Sequence, residues 1–487
     1  MTPADCHEPR RAVIRQPIVR SIVTGHWSAR ALPRNEVSFQ IHLPGTVCAY
    51  HKPLYMGREQ PKSGEPPMSV TSIWFYPLLM VAFILEGSVL SKALLFHRMQ
   101  NGKELQSQRV VALDGMRGIL ALSVFFLHVV EYHRYEVSGL WVAPDSNFYA
   151  QLGVFPVSMF FFITGYVFWL KLIQQPTIPF WRFLYGRLGR LGGVYGLVCL
   201  LCFALAAVVS GFHRNMPVSM LAVQMASWLS FFGSGHDINH IYFSRLWLGP
   251  GWTLRYEWMF YFSVPLLGWF ARRWERLPFI LILAAIISVM AGRLHMKGAA
   301  ELIWGMLGSY AQFLCLTFSV GMIIANVRVP ARVHAWAKSG LAAGLSLILI
   351  AVTLAWAAPK FGWRESLLLA GPFACLCMGN TWFGLLTSEP IRFLGRISYS
   401  FYLLHVVLLA AELLILRRYA NFNSIGPIRY WLFALASGAI TIWVSAISYE
   451  HLEYPLLHIG RSTRNHERRV VSRPVCEPFG TPAKPAA

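Results

Sequence analysis

An arginine and a histidine stand eleven positions apart in one apolar run, residues 113–133, LDGMRGILALSVFFLHVVEYH. An ionisable side chain at bilayer depth costs a few kcal/mol on insertion scales, and in such a run it marks a functional site by default. At about 100° and 1.5 Å per residue, eleven positions make three turns plus about 20°, so Arg117 and His128 share one helix face about 16 Å apart along the axis. Asp114, three before Arg117, can cap the helix or pair with the guanidinium. Glu131, one turn beyond His128, can orient the imidazole or stay solvated at the boundary. Singly, Arg117 could be a snorkelling anchor and His128 a hydrogen-bonded core residue; their common face favours a joint role.

Three further groups carry polar side chains into apolar surroundings. RFLYGRLGR places Arg182, Arg187 and Arg190 at the entrance of a span, where guanidinium groups and a helix N-terminus can hold phosphates or simply record topology. WTLRYEWMFY opens another span with Trp252, and sets Glu257 and Tyr261 four apart on one face. A buried carboxylate is costly unless it is paired, so Glu257 needs a partner or a task. ISYSFYLLH gives Ser398, Tyr402 and His405 at i, i+4 and i+7, a polar stripe that could line a substrate path or bind helices together. The closest cysteine pairs, Cys199/Cys202 and Cys375/Cys377, lie in apolar runs without nearby histidines, which supports neither a disulfide framework nor a metal site.

The elements that must position these groups are membrane helices. Of 487 residues, 55% are hydrophobic and only 13% charged, and apolar runs near twenty residues recur along the chain, the pattern of an all-α polytopic membrane protein. Ten core spans are expected at about 110–132, 150–171, 190–211, 252–272, 278–292, 303–325, 341–358, 366–386, 397–416 and 430–450. With the first span starting in the cytoplasm, the inside connections hold about twice as many Lys and Arg as the outside ones, which supports both ends of the core inside; the expected location is the cell (inner) membrane. The net charge of +21 therefore reads as orientation rather than nucleic-acid binding. Residues 217–233 are a further apolar run, expected to be re-entrant or interfacial because a crossing there would reverse all later spans. Residues 1–67 read as a disordered basic tail or a start placed too early, and 68–109 as an extra apolar helix and linker that could add one N-terminal span. The membrane domain occupies 110–460, and 461–487 form a basic cytoplasmic tail.

These motifs together resemble the acyltransferase-3 family of integral-membrane acyltransferases, which modify cell-surface carbohydrates and some secondary metabolites. The resemblance runs in chain order through LDGMRGILALSVFFLH, FFFITGYVF, RFLYGRLGR, WTLRYEWMFY, ISYSFYLLH and YEHLEYP, the last containing Tyr449, Glu453 and Pro455. It implies about ten helices, an acyl-CoA donor approaching from the cytoplasm (most often acetyl-CoA), and a sugar hydroxyl as acceptor, often lipid-linked or outside. The family's essential Arg and His fall on Arg117 and His128, and its motif Glu on Glu257. The Arg-Tyr within WTLRYEW departs from the common pattern and leaves the acceptor open. No hydrolase-like extracytoplasmic domain follows the helices, as in stand-alone members.

The expected activity is transfer of an acyl group, other than an amino-acyl group, from acyl-CoA to a carbohydrate or lipid-linked glycan, with no permanently bound cofactor. Arg117, Arg182, Arg187 and Arg190 would hold the coenzyme A phosphates. His128 would act as general base or as acylated nucleophile. Trp252, Tyr261, Ser398, Tyr402 and His405 would contact substrate, and Glu257 would bind acceptor or hold the imidazole. The alternatives are a transporter or flippase for a lipid-linked sugar, though the internal repeats common in that class are missing, and a non-catalytic membrane partner.

Overall fold

The computed structural model describes residues 69–93, 111–139, 141–174, 179–231, 237–241, 251–273, 278, 314–422 and 424–456. All but the first residue of the expected span 278–292, the first half of 303–325 and both basic tails lie outside the described residues. The described chain is helical, without a β-strand. Its helices are α1 (Phe75–Leu90), α2 (Val111–Ser138), α3 (Asn147–Gln174), α4 (Phe180–Val209), α5 (Val218–Leu229), α6 (Gly251–Arg273), α7 (Ser319–Asn326), α8 (Ala331–Ala337), α9 (Gly340–Trp356), α10 (Trp363–Cys377), α11 (Glu389–Leu416) and α12 (Pro427–Ser448). A π-turn, Leu314–Phe318, leads into α7, and another, Tyr449–Glu453, continues α12.

Five helical stretches are long and apolar enough to cross a membrane: α2, α3, α4, α11, and Pro427–Leu456, which comprises α12 and its extension. The pair α8 and α9, bent by 64°, would make a sixth. Ten spans are therefore not seen among the described residues. The expected span at 366–386 is one reason. Its helix, α10, stops at Cys377, Gly379 takes φ +97°, and Asn380 turns the chain by donating to the Ala337 carbonyl at 2.7 Å and accepting from the Trp382 amide at 2.9 Å. Hydropathy alone cannot register such a turn, because the residues around it remain apolar. The run at 217–233 gives α5, whose twelve residues rise about 18 Å, too short for a hydrocarbon core of about 30 Å. Only Trp228 of α5 is buried.

The bundle is built around α2 and α11. The most apolar stretch of α2 is 83% buried within the protein, against 33% for α4, so α2 is a central rod and α4 a peripheral one. Lipid is as apolar as a leucine side chain, so close backbone approach, not water exclusion, must hold such helices together. Glycines supply it. A Cβ on Gly395 would collide with the Asp114 carbonyl, and one on Gly118 would lie 2.7 Å from the Gly395 nitrogen. The crossing of α3 and α7 repeats the device, with Gly165 against the Phe318 carbonyl and Gly321 against the Phe162 carbonyl.

Helix α1 packs on α11 and α12 rather than standing apart. Phe75 stacks on Trp431 at 5.1 Å, Phe83 is buried against Phe125 and Phe126, and the Tyr76 and Ser123 hydroxyls lie 3.0 Å apart. The turn before α1 is tied down as well, since Trp431 Nε1 donates to the Val70 carbonyl at 3.0 Å and the Tyr149 hydroxyl to that of Ser72 at 2.9 Å.

Two outcomes test this packing. Gly395→Ala should lower stability by about 2 kcal/mol or more through overpacking, while Gly344→Ala, where a Cβ meets nothing within 4 Å, should not; thermal midpoints of the detergent-solubilised protein compare them. A chain begun at Met99 should accumulate poorly in membranes, and one begun at Met68 normally, as read by quantitative immunoblotting.

Candidate active site

Helix α2 runs unbroken from Val111 to Ser138, so Arg117 and His128 keep the helical relation expected of them. Each meets a different set of neighbours. Around Arg117, α4 brings Arg190, α6 brings Glu257, and the π-turn after α12 brings Glu453, all within electrostatic reach of the guanidinium together with Asp114. Arg190 is in turn within reach of Glu453, Tyr261, Glu257 and Tyr449. One turn earlier on α4, Arg187 lies over three aromatic rings, with its guanidinium carbon 5.2 Å from the centroid of Phe168, 5.8 Å from Phe183 and 5.9 Å from Tyr261. Such cation–π contacts hold a desolvated guanidinium in place without neutralising it.

The carboxylates of this group are also anchored. Glu257 accepts a hydrogen bond from the Tyr261 hydroxyl one turn on, and Glu453, buried, accepts one from Ser400 Oγ at 3.1 Å. The Tyr399 hydroxyl donates to the Leu191 carbonyl at 2.8 Å, which ties α11 to α4 beside the cluster. The Nε atoms of Arg117 and Arg187 are buried and have no hydrogen-bond partner among the described residues. Three guanidinium groups stand against Asp114, Glu257 and Glu453, and the unpartnered Nε donors of Arg117 and Arg187 are an arrangement suited to an anionic group. Arg182 sits in the first turn of α4, half-buried, nearer the helix end.

Further along α2 the chemistry changes from charge to imidazole. His128 is buried, and its Nδ1 lies 2.8 Å from Glu131 Oε2. A carboxylate oxygen can only accept, so the hydrogen is on Nδ1, and Nε2 of the neutral ring keeps its lone pair. The ring of His405, from α11, lies beside it with centroids 5.3 Å apart and planes inclined at 33°. His405 donates from Nδ1 to the Phe401 carbonyl at 3.1 Å, and its buried Nε2 has no hydrogen-bond partner among the described residues. Two imidazoles from two helices therefore lie side by side, each with Nδ1 engaged and Nε2 left for a substrate.

Tyr402 links the two regions. Its hydroxyl lies 3.1 Å from the Thr253 hydroxyl, its ring is 6.1 Å from that of His405, and it is within electrostatic reach of Glu257. Ser398 instead donates to the carbonyl of Gly395 in its own helix, and Trp252 packs on Tyr256 and Phe361 at the mouth of α6. Of the expected residues, Arg117, Arg187, Arg190, Glu257 and Tyr261 are thus brought together, and His128, His405 and Tyr402 form a second group. Glu131, not Glu257, holds the His128 ring. Glu453, Ser400 and Tyr399 join the first group although none was singled out as a site residue; Glu453 within the motif YEHLEYP, which also holds Glu450 and His451, was the available signal.

One long helix thus carries an imidazole three turns from a cluster of guanidinium and carboxylate groups, both inside a helix bundle. The acyltransferase-domain model Acyl_transf_3 matches residues 110–450, and the chain belongs to this acyltransferase-3 family of multi-pass membrane acyltransferases. Comparison with curated proteins and with solved structures finds no match.

Replacing Glu131 by Ala removes the acceptor that fixes the His128 tautomer. Acyl transfer in reconstituted membranes should fall by about 10²-fold in kcat, with donor KM little changed.

Proposed function

We propose that this acyltransferase moves an acyl group, acetyl in the first instance, from cytoplasmic acyl-CoA to a hydroxyl of a cell-surface or exported carbohydrate. The observation that carries this reading is the placement of an oriented imidazole on the same helix as a cluster of under-satisfied guanidinium groups, about 16 Å away along the axis. Coenzyme A has a polyanionic head and a slender arm that ends in a thioester. Arg117, Arg187 and Arg190 would take the phosphates, with Arg182 at the entrance, and the arm would follow α2 toward His128.

The bond changes at His128 follow from its free Nε2. The acceptor hydroxyl gives its proton to that nitrogen as its oxygen bonds to the thioester carbonyl. The tetrahedral intermediate then expels the thiolate, which recovers the proton from the imidazolium and leaves as coenzyme A. In the variant route Nε2 attacks first and expels the thiolate to form an acyl-imidazolium; the acceptor hydroxyl then attacks its carbonyl, the imidazole leaves neutral, and the hydroxyl proton passes to the thiolate, which departs as coenzyme A. Tyr402 and His405 border the place where either step occurs. The basic-residue count supports a cytoplasmic entrance at the arginine cluster, with the core termini on that side of the inner membrane.

Membranes carrying His128→Ala should lose acyl transfer by about 10²-fold or more, and Arg117→Ala should raise donor KM by about tenfold, the scale of one charge-assisted contact. Unchanged transfer in the His128 variant would overturn the mechanism. Mass spectrometry of the surface glycan separates this function from transport, because loss of an acyltransferase removes the acyl increment while export continues.

A further inference from the structure

At the end of the bundle opposite the arginine cluster, α2 and α11 are clamped together by a two-pronged ion pair. Arg417 donates to Glu136 from Nε at 2.6 Å and from Nη2 to the other carboxylate oxygen. The Glu136 side chain is only 7% exposed, so the fork is held in one geometry rather than waving at a surface. Beyond this clamp the chain leaves α11 in a series of turns and borders, with Glu136, an open depression of about 500 Å³ lined by Arg417, Arg418, Tyr419, Ala420, Asn421 and Phe422. That volume lies in the range of small-molecule sites.

The lining has a definite chemistry. Tyr419 is 83% exposed, and neither its ring nor the Arg418 guanidinium has a side-chain partner among the described residues. Phe422 forms a buried floor, and its ring meets Tyr430 at 6.3 Å. The Tyr430 hydroxyl donates to the carbonyl of Val129, the residue after His128, at 2.7 Å. The floor of the depression is therefore braced against the turn that carries the base. Glu136 stands eight residues beyond His128, about 12 Å along the same helix.

We propose that this depression is the acceptor subsite, where a pyranose unit of the carbohydrate docks with one face on the Tyr419 ring and its hydroxyls on the Arg417–Glu136 fork, Arg418 and Asn421. The inference rests on the carbohydrate acceptor of the proposed function. An aromatic ring offers its electron-rich face to the polarised C–H bonds of a sugar, while a fixed carboxylate and guanidinium groups supply acceptors and donors to its hydroxyls. A neighbouring unit of the same glycan then spans the 12 Å to His128 and presents its hydroxyl there. The chain's basic-residue distribution supports an outer position for this end, where an exported glycan would arrive.

The test uses the full-length protein in proteoliposomes, with radiolabelled acetyl-CoA as donor and the host's purified extracellular polysaccharide as acceptor. Tyr419→Ala and Arg418→Ala should each raise the KM for polysaccharide by about tenfold, with kcat and the KM for acetyl-CoA retained. Tyr419→Phe, which keeps the ring, should restore the wild-type KM. Substitution at so exposed a tyrosine leaves the core untouched, and the retained kcat verifies this. If the wild type acetylates the polysaccharide and Tyr419→Ala does so with the same KM, the subsite is overturned and the function stands. If an Arg418→Ala defect appears only in vesicles of anionic phospholipid, that arginine binds lipid phosphate and is not part of the subsite. If the wild type turns over acetyl-CoA but leaves the polysaccharide unlabelled, the carbohydrate reading falls and the subsite with it.

Discussion

Everything in the site depends on how closely α2 can lie against α11. Neither helix has a hydrophobic reason to prefer the other over lipid, so their union rests on backbone-to-backbone contact where Gly118 and Gly395 leave room. The consequence is chemical as well as structural. Two helices in this close contact bring the imidazoles of His128 and His405 within 5.3 Å of each other. Bulkier residues at the crossing would push the helices apart and separate the two rings, even though neither glycine touches the reacting groups.

The polar interior is divided by depth along α2. Near Arg117 the residues are charged, and each is held by a particular neighbour: Arg187 by rings, Glu257 by a phenol, Glu453 by a hydroxyl. Near His128 a single carboxylate, Glu131, stands beside the imidazole, and the facing His405 Nε2 is buried without a hydrogen-bond partner among the described residues. Burying charge is costly, and it is sustained here by mutual pairing, whereas an unsolvated imidazole loses little by being neutral. One rod thus provides a place for an anion and a place for a proton, separated by apolar residues such as Leu120, Ala121 and Val124, all buried.

What could be read in the chain beforehand was whatever a single helix determines. The joint face of Arg117 and His128, the reach of Glu131 to the imidazole, and the pairing of Glu257 with Tyr261 all follow from helical spacing within one run. The contacts between Ser400 and Glu453, between Arg187 and Phe168, and between Tyr402 and Thr253 join residues from different helices, and no local period encodes them. Ten spans are not seen among the described residues for a related reason, besides the stretch 279–313 that lies outside them. Hydropathy sees the apolar run around α10 but not the turn that Gly379 and Asn380 impose on it, nor the 64° bend between α8 and α9. Glu453 was present in a quoted motif, yet its task became visible only when a second helix arrived opposite it.

The π-turn after α12 bears on how this chain could diverge. Such a turn holds one more residue than an α-turn would, so every side chain past it is rotated by about 100° from the phase that α12 alone would set. Glu453 closes that turn. Its aim toward Ser400 is thus a matter of phase, and losing a single residue between Ser448 and Glu453 would swing the acid out of the cluster while leaving the composition of the segment almost the same. Substitutions could accumulate there, but a change in length could not be absorbed.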